Sequence, residues 1–207
     1  SRCTIDQNAL NHFVWTRQTP KQPTKIRLPV KQGRTLLPTP FFTSIVLSGS
    51  ALIHGTRSDA FDGILAEVAM GEKIASFAFL DGQGKISAET GAATYGNDGT
   101  VSGELSFAQY ADSADYLVVL AQSADGKPCL SVIDAKADGV TITPRVNMDM
   151  TRPISDVKLD NVAVIDGAPL TSDAGVIDRV FDIARICLAS EQLGASEAVL
   201  EKTQAYV

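Results

Sequence analysis

Apolar residues recur with helical spacing at both ends of the chain and with strand spacing in between. Residues 38–72 and 171–207 have the helical pattern, whereas residues 73–165 consist of short apolar runs separated by turn residues. No helix of 10 to 15 residues interrupts the strand region, which argues against a doubly wound βαβ fold. The pattern therefore predicts an α+β protein with a β-rich middle domain between helical segments.

The first helical stretch predicts two helices. Residues 44–53 are apolar on nearly all sides, which is typical of a buried helix, and this helix ends at Gly55. A second helix is expected to begin with Asp59 as its cap and to end at Gly71. One face of the second helix would carry Phe61, Ile64, Leu65 and Val68.

The middle region predicts five strands joined by tight turns. Asp-Gly and Asn-Asp-Gly sequences, which favour turns, recur at residues 81–82, 97–99, 125–126, 138–139 and 166–167. Short strands spaced by about 8–12 residues are typical of an antiparallel barrel or sandwich. The predicted strands are residues 74–80, 116–121, 129–133, 140–143 and 157–162.

The last stretch predicts one long helix, capped by Thr171-Ser172-Asp173. Gly194, Ala195 and Ala198 are small enough to permit close approach of another helix. Some 30 residues would span about 45 Å, longer than the barrel could cover. No glycine or proline ends this helix before Val207. We therefore expect a truncated chain, or a helix that packs on something outside this chain.

Residues 1–35 are basic and rich in proline, with Pro20, Pro23 and Pro29 among five lysines and arginines from residue 21 onward. Proline removes backbone donors and restricts its predecessor, so this stretch predicts an irregular arm. It is either a loop-like arm or processed end, or a basic docking arm for an anion. The predicted division is 1–35, 36–72, 73–170 and 171–207.

Composition limits the classes of partner. The 207 residues include 18 Lys and Arg against 24 Asp and Glu, a net charge of −6, which disfavours nucleic-acid binding. No run of about 18 apolar residues predicts a membrane span, and residues 1–4 show no signal peptide. Three widely spaced cysteines fit a reducing compartment and neither a zinc knuckle nor a disulfide scaffold. We expect a soluble, cytoplasmic protein, or one of the mitochondrial matrix in a eukaryote.

The usual hydrolytic and phosphate-binding motifs are missing. The two histidines, His12 and His54, lie in the irregular arm and at the end of an apolar helix, so neither predicts a Ser-His pair. The sequence contains no G-x-S-x-G and no P-loop, and residues 82–84 are interpreted as a turn. No carboxylate pair or metal-ligand cluster stands out, so no catalytic residue is predicted.

The order of helices, strands and long helix, with several short motifs, resembles the flavin-dependent acyl-CoA dehydrogenases from about residue 33 to the end. Residues 33–42 (GRTLLPTPFF) and 71–75 (GEKIA) are similar to the amino-terminal domain and its lead into the first strand. Residues 78–81 (AFLD), 103–110 (GELSFAQY) and 114–115 (AD) are similar to the middle domain. Residues 159–162 (LDNV), 181–185 (FDIAR) and 193–198 (LGASEA) are similar to the lead into the carboxyl-terminal helices and to the first of them.

The resemblance implies a site for FAD and acyl-CoA. At the matching positions, Phe79, Leu80, Phe107 and Gln109 would flank the flavin. Phe181, Asp182 and Arg185 would contact the acyl-CoA. By periodicity alone, Phe79 and Phe107 are also consistent with plain barrel core, and Asp182 with Arg185 is consistent with a surface ion pair.

This chain departs from the family pattern at several positions. Leu80 replaces a hydroxyl residue, Gln109 a Thr or Ser, and Leu105 a basic residue. The segments that carry the family's catalytic carboxylate and its R-x-Q-F-G sequence are not among these residues.

Three functions follow for testing. The first is α,β-dehydrogenation of an acyl-CoA with hydride transfer to FAD and electrons leaving to an electron-transfer flavoprotein. The second is a non-catalytic acyl-CoA dehydrogenase-like subunit or fragment with a degenerate flavin site, which acts in a homo- or hetero-oligomer. The third is a β-barrel that binds a small ligand inside the barrel and no flavin.

Overall fold

The structure of the chain, a computed structural model, describes residues 24–206, with side chains from residue 28 onward. Two compact units divide it. One unit contains the described residues up to Pro38 together with those from Ile183 onward, and the other contains Thr39–Asp182. The predicted irregular stretch before residue 24, including His12 and Cys3, lies outside the described residues.

Helices flank the strands in chain order, and the predicted α+β class is confirmed. The helices are α1 (Thr24–Thr35), a π-helix (Phe42–Gly49), α2 (Ser50–His54), α3 (Asp59–Met70), α4 (Ser87–Thr90) and α5 (Ala174–Tyr206), with short 3₁₀ turns at Ala111–Ser113 and Ile165–Gly167. The strands are β1 (Ala75–Ala78), β2 (Ala93–Tyr95), β3 (Thr100–Gln109), β4 (Tyr116–Ser123), β5 (Pro128–Asp134), β6 (Val140–Arg145) and β7 (Ile154–Ala163). Apolar periodicity had identified neither β2 nor β3, and residues 103–110 of β3 had been noted only for their motif.

The seven strands form one sheet in the order β1-β4-β2-β3-β7-β6, with β5 paired to β4. Four pairs are antiparallel, as expected: β2–β3, β3–β7, β4–β5 and β6–β7. The expectation of a purely antiparallel sheet is wrong at two pairs, because β1 and β2 both run parallel to β4. Alternation of apolar residues reports which face is buried, not the direction of the neighbouring strand.

The sheet curls, so that strands distant in the sheet order approach each other. Leu80, just after β1, forms an antiparallel bridge with Ser106 of β3, although β4 and β2 lie between these strands in the sheet order. The interior is filled by small and branched side chains that are almost fully buried. The largest of these are Leu105, Leu117, Ile133 and Leu159. The curl brings the end of β1 beside the middle of β3.

The outer edge of β1 is covered by the π-helix. Thr43 Oγ1 accepts a hydrogen bond from Phe77 N at 2.9 Å, and Ser44 Oγ accepts one from Ala75 N at 3.2 Å. Both hydroxyls are buried. They accept the hydrogen bonds that a neighbouring strand would accept if β1 were not at the edge of the sheet. The π-helix, which includes the start of the apolar run predicted to be a buried helix, thus holds β1 through Thr43 and Ser44.

We expect Thr43→Val to lower the free energy of unfolding of the Thr39–Asp182 unit by about 1–2 kcal/mol, because the buried N–H of Phe77 loses its acceptor while the side chain keeps its shape. The change is measured by urea denaturation followed by circular dichroism. Thr141→Val on an exposed position of β6 is the control and should lie within about 0.5 kcal/mol of the parent. Equal effects of the two substitutions would contradict the edge-covering role of Thr43.

The predicted ends of the helices are largely confirmed. Gly71 ends α3 with a left-handed φ of 74°, and Asp173 Oδ1 accepts a hydrogen bond from Gly175 N at the start of α5. The predicted cap Asp59 is wrong by one residue: Ser58 Oγ accepts from Phe61 N at 3.3 Å, and Asp59 is the first helical residue. An acidic residue in the first turn is still favourable to the helix dipole.

In the first unit, α1 packs against the second half of α5 through glycine. A methyl group on Gly194 would overlap the carbonyl oxygen of Val30, and one on Gly33 would overlap that of Glu191. Arg34 adds salt bridges to Glu197 and Glu201, at 3.3 and 2.6 Å. The small residues predicted to admit a neighbouring helix do so, and the neighbour comes from this chain.

The expectation of an irregular arm is wrong for residues 24–35, which form α1 in spite of Pro29. Helix propensity is a weak determinant of structure, and close packing of the kind seen at Gly33 and Gly194 overrides it. Among the described residues, no helix is both long and apolar enough to cross a bilayer.

Candidate functional site

The two segments predicted to flank a flavin meet where β1 ends. Leu80 O accepts a hydrogen bond from Ser106 N at 2.8 Å, which places the pair Phe79 and Leu80 beside the β3 residues that follow Ser106. Gln109 O accepts from Ser76 Oγ at 2.8 Å, a second link between the same strands. Two segments separated by some 25 residues of sequence thus lie side by side where the sheet curls.

Phe107 lies in an irregular part of β3. The register with β7 shifts between Leu105 and Ala108, and Phe107 has a φ of 59°, in the left-handed region. An aromatic residue with positive φ is uncommon, and such residues persist where the surrounding structure holds them. Leu105 and Ala108 point into the core, so the extra residue leaves Phe107 half-buried and outside the core cluster.

Gln109 lies at the end of β3, also half-buried and outside the core cluster. The backbone beyond it is fixed by Tyr110, whose φ is 56°. Tyr110 N donates to Pro153 O at 2.9 Å and its Oη donates to Thr151 O at 2.7 Å. Burial raises the pKa of the Tyr110 hydroxyl, so this group stays a donor at neutral pH. The segment that carries Phe107 and Gln109 is therefore held from both ends.

Phe79 belongs to an aromatic cluster with Phe77 and Phe181. Its ring centroid lies 5.8 Å from that of Phe77 and 5.3 Å from that of Phe181. Edge-on and tilted contacts at these distances are favourable for aromatic rings. The cluster joins a residue predicted to contact flavin and one predicted to contact acyl-CoA.

The remaining predicted substrate residues, Asp182 and Arg185, are exposed on α5. Each makes an interaction within the chain, so neither is a free charge. Asp182 is in the same compact unit as Phe181, whereas Arg185 is in the other unit. The structure therefore groups Phe181 with Phe79.

Sequence reasoning missed two charged residues beside Phe107. The guanidinium carbon of Arg145, at the end of β6, lies 4.7 Å from the centroid of the Phe107 ring, and Arg145 Nε lies 2.6 Å from Asp156 Oδ2 on β7. Burial acts to raise the pKa of Asp156, but hydrogen bonds from Arg145 and Ser106 and the charge of Arg145 together outweigh it and hold that pKa below the usual value. Both residues are outside the quoted motifs, and each lies just beyond a predicted strand, Arg145 after residues 140–143 and Asp156 before residues 157–162, so no signal in the sequence marked them.

Within the part of the chain that the structure describes, other reactive groups do not gather into a second site. Among residues 24–206, no cluster of three or more His, Cys, Asp and Glu side chains could hold a metal ion. The described cysteines, Cys129 and Cys187, are free thiols, and burial raises the pKa of Cys129 to about 11, so it is not a nucleophile at neutral pH. Burial, with the charge of Arg179, lowers the pKa of His54.

No protein-family model matches the sequence, and no curated protein matches it. Solved structures do match the fold. The glutaryl-coenzyme A dehydrogenase in complex with glutaryl-CoA superposes with a TM-score of 0.80 at 15% identity, over 88% of this chain and 50% of that one. The ChsE4-ChsE5 complex from Mycobacterium tuberculosis matches with a TM-score of 0.77 at 20% identity, over 87% of this chain and 48% of that one.

An acyl-CoA dehydrogenase complexed with FAD from Bacillus anthracis matches with a TM-score of 0.76 at 17% identity, over 88% of this chain and 33% of that one. The chain therefore has part of the acyl-CoA dehydrogenase fold, and the resemblance inferred from the motifs is confirmed at the level of the fold. The chain spans about half the length, or less, of these three structures.

Proposed function

We propose that this chain is the flavin-binding part of an acyl-CoA dehydrogenase-like flavoprotein. The observation that carries the proposal is the meeting of the Phe79–Leu80 segment with the Phe107–Gln109 segment where the curled sheet brings β1 and β3 together. These are the two segments that the motif resemblance assigns to the flavin, and they are distant in sequence. Acyl-CoA dehydrogenases of the same fold have been solved with FAD and with an acyl-CoA.

The side chains where β1 and β3 meet suit a flat, polar-edged ring. Phe107 offers an aromatic face that is neither in the core nor fully exposed, and Gln109 offers an amide two residues away. Both strand segments are pinned by backbone hydrogen bonds, so little entropy would be lost in ordering them around a ligand. Leu80 is the weak point, because it has no hydroxyl to donate to a flavin.

FAD, when bound, would supply the acceptor for the hydride that leaves the β-carbon of the acyl-CoA. Phe107 would orient the ring by stacking, and Gln109 would provide a polar contact at its edge. Phe181, Asp182 and Arg185 would contact the acyl-CoA, with Arg185 pairing a phosphate or stacking on the adenine. No described residue is assigned as the base for the α-proton, which requires a group within about 3 Å.

The partners and compartment belong to the same proposal. Electrons would leave to an electron-transfer flavoprotein, and the chain would work in a homo- or hetero-oligomer, as in the ChsE4-ChsE5 complex. The cysteines favour a reducing compartment, either the cytoplasm or the mitochondrial matrix in a eukaryote.

A second candidate is a non-catalytic subunit with a degenerate flavin site. Leu80 favours it, since the backbone at this position is in place while the side chain that would bond the flavin is not. Such a subunit would contribute to assembly and bind flavin weakly.

Titration of the purified 207-residue chain with FAD, followed by flavin fluorescence, tests the proposal. We expect binding with visible flavin absorbance, and we expect Leu80→Thr to tighten it about 2- to 10-fold by restoring a hydroxyl, the worth of one net hydrogen bond. Leu37→Thr, at an exposed leucine, is the matched control and should leave the affinity unchanged.

The outcomes separate the candidates. A chain that binds FAD only as Leu80→Thr, and that forms an oligomer on size-exclusion chromatography, supports the degenerate subunit. Absence of binding in both the parent and Leu80→Thr would contradict a flavin site of either kind.

A further inference from the structure

Three neighbouring strands of the sheet place an aromatic ring, a cation and a carboxylate close together: Phe107, Arg145 and Asp156. Phe107 is on β3, Asp156 on β7 and Arg145 on β6, and these strands are consecutive in the sheet order. The guanidinium reaches across β7 to stand 4.7 Å from the ring centroid, within the range of a cation–π contact. One face of the Phe107 ring therefore carries a fixed positive charge.

Arg145 is held in this position by more than the ring. Its Nε lies 2.6 Å from Asp156 Oδ2, and its Nη2 lies 3.5 Å from the hydroxyl oxygen of Ser106. The side chains of Arg145 and Asp156 are 37% and 36% exposed, so the pair is partly shielded from solvent. Ser106 and Phe107 are the two residues at the register shift in β3, so Arg145 touches the irregular segment at both.

The arrangement has a consequence for anything that stacks on Phe107. A ring has two faces, and a cation on one face pulls electron density toward it and favours an electron-rich group on the other. The Phe107 backbone is left-handed, and the guanidinium covers one face of its ring. A flat ligand would meet a preformed surface whose charge favours its electron-rich state.

We propose that Arg145 is a positioning residue for the flavin, which orients Phe107 as a stacking surface and, through its charge, favours the reduced form of the cofactor. The inference rests on the proposed flavin site and adds a residue that lies outside all the motifs of the resemblance. Asp156 is expected to hold Arg145 in place and to act only through it.

The test compares Arg145→Gln, Arg145→Lys and Asp156→Asn in the full chain. Two quantities are measured for each variant: the dissociation constant for FAD, and the reduction potential of bound FAD against a reference dye. Arg57→Lys is the matched control, because Arg57 forms a similar ion pair with Asp62, at 2.7 Å, on α3. Thermal unfolding midpoints verify that each variant is folded.

We expect Arg145→Gln to weaken FAD binding about 2- to 30-fold, the range of one cation–π contact, and to shift the potential to more negative values. Arg145→Lys, which keeps the charge but not the planar group, should recover most of the potential and part of the affinity. Asp156→Asn should weaken binding less than Arg145→Gln, and Arg57→Lys should change neither quantity.

The outcomes distinguish this inference from the function on which it rests. If the parent chain binds FAD and Arg145→Gln leaves both affinity and potential unchanged, the role of Arg145 is overturned while the flavin site stands. If Arg145→Gln and Arg57→Lys both change the affinity for FAD and neither changes the reduction potential, the effect of Arg145 is a general effect on the structure. That result overturns the inference as well. A parent chain that binds no FAD overturns both proposals. Should Arg145→Gln fail to fold, Arg145→Lys carries the comparison alone.

Discussion

Gly103→Ala is expected to destabilise the Thr39–Asp182 unit by about 3 kcal/mol or more, at the upper end of single substitutions. Gly103 has a φ of 147° in β3 and pairs with Ala93 of β2. A methyl group there would lie 2.6 Å from Ala93 Cα and would overlap the carbonyl oxygen of Ala92. Both obstacles are backbone, which cannot move without separating the strands. Urea denaturation followed by circular dichroism measures the loss.

Gly84→Ala is the control that separates the cost of a positive φ from the cost of steric overlap, both of which contribute at Gly103. Gly84 also has a positive φ, 77°, but a methyl group on it would meet no atom within 4 Å. It should therefore show only the left-handed backbone cost, about 1–2 kcal/mol. If Gly103→Ala costs no more than Gly84→Ala, the close approach of β2 and β3 is not what requires glycine.

Gly194→Ala should weaken the packing of α1 on α5 by a net amount of about 2 kcal/mol. Alanine favours a helix over glycine by about 1 kcal/mol, but here the methyl group would overlap the backbone of Val30, and overpacking costs about 1–3 kcal/mol or more. Hydrogen exchange of the α1 amides, followed by mass spectrometry, measures the change. Faster exchange over residues 24–35 is the expected result.

Gly63→Ala is the matched control for that prediction. Gly63 lies inside α3, exposed, and a methyl group on it would meet no atom within 4 Å. The same substitution in a helix should therefore stabilise by about 1 kcal/mol. If Gly194→Ala also stabilises the chain and slows exchange in α1, the two helices do not rely on a glycine contact.

The elements that sequence predicted well are those specified by local signals. Phe61 and Leu65 recur at helical spacing and face the core, and Gly71 ends the same helix because it adopts the left-handed conformation at no steric cost. The missed elements include β2, β3 and α1, and α1 contains Pro29 and forms where another helix packs against it. A local signal such as proline reports the free-energy cost of a helix in that segment alone, and packing against a distant segment can outweigh this cost.

The candidate site divides in the same way. The motif resemblance identified four residues from short sequence motifs: Phe79, Leu80, Phe107 and Gln109. In the structure, the curl of the sheet places the segment with the first two beside the segment with the last two. No motif contains Arg145 or Asp156, because their relation to Phe107 exists only across three adjacent strands. The positive φ of Phe107 likewise has no sequence signature.

The amino-acid sequence by itself determined the α+β class, the buried helix faces, most of the strands and the likeness to acyl-CoA dehydrogenases. These follow from the period of apolar side chains, from turn residues and from the order of short motifs, all of which are local. Only the tertiary structure decided that β1 and β2 run parallel to β4, that α1 packs on α5, and that Arg145 stands over Phe107. Each of these depends on which distant segments meet. The free energy that stabilises such a contact comes from both segments together, so the sequence of one segment alone does not reveal it.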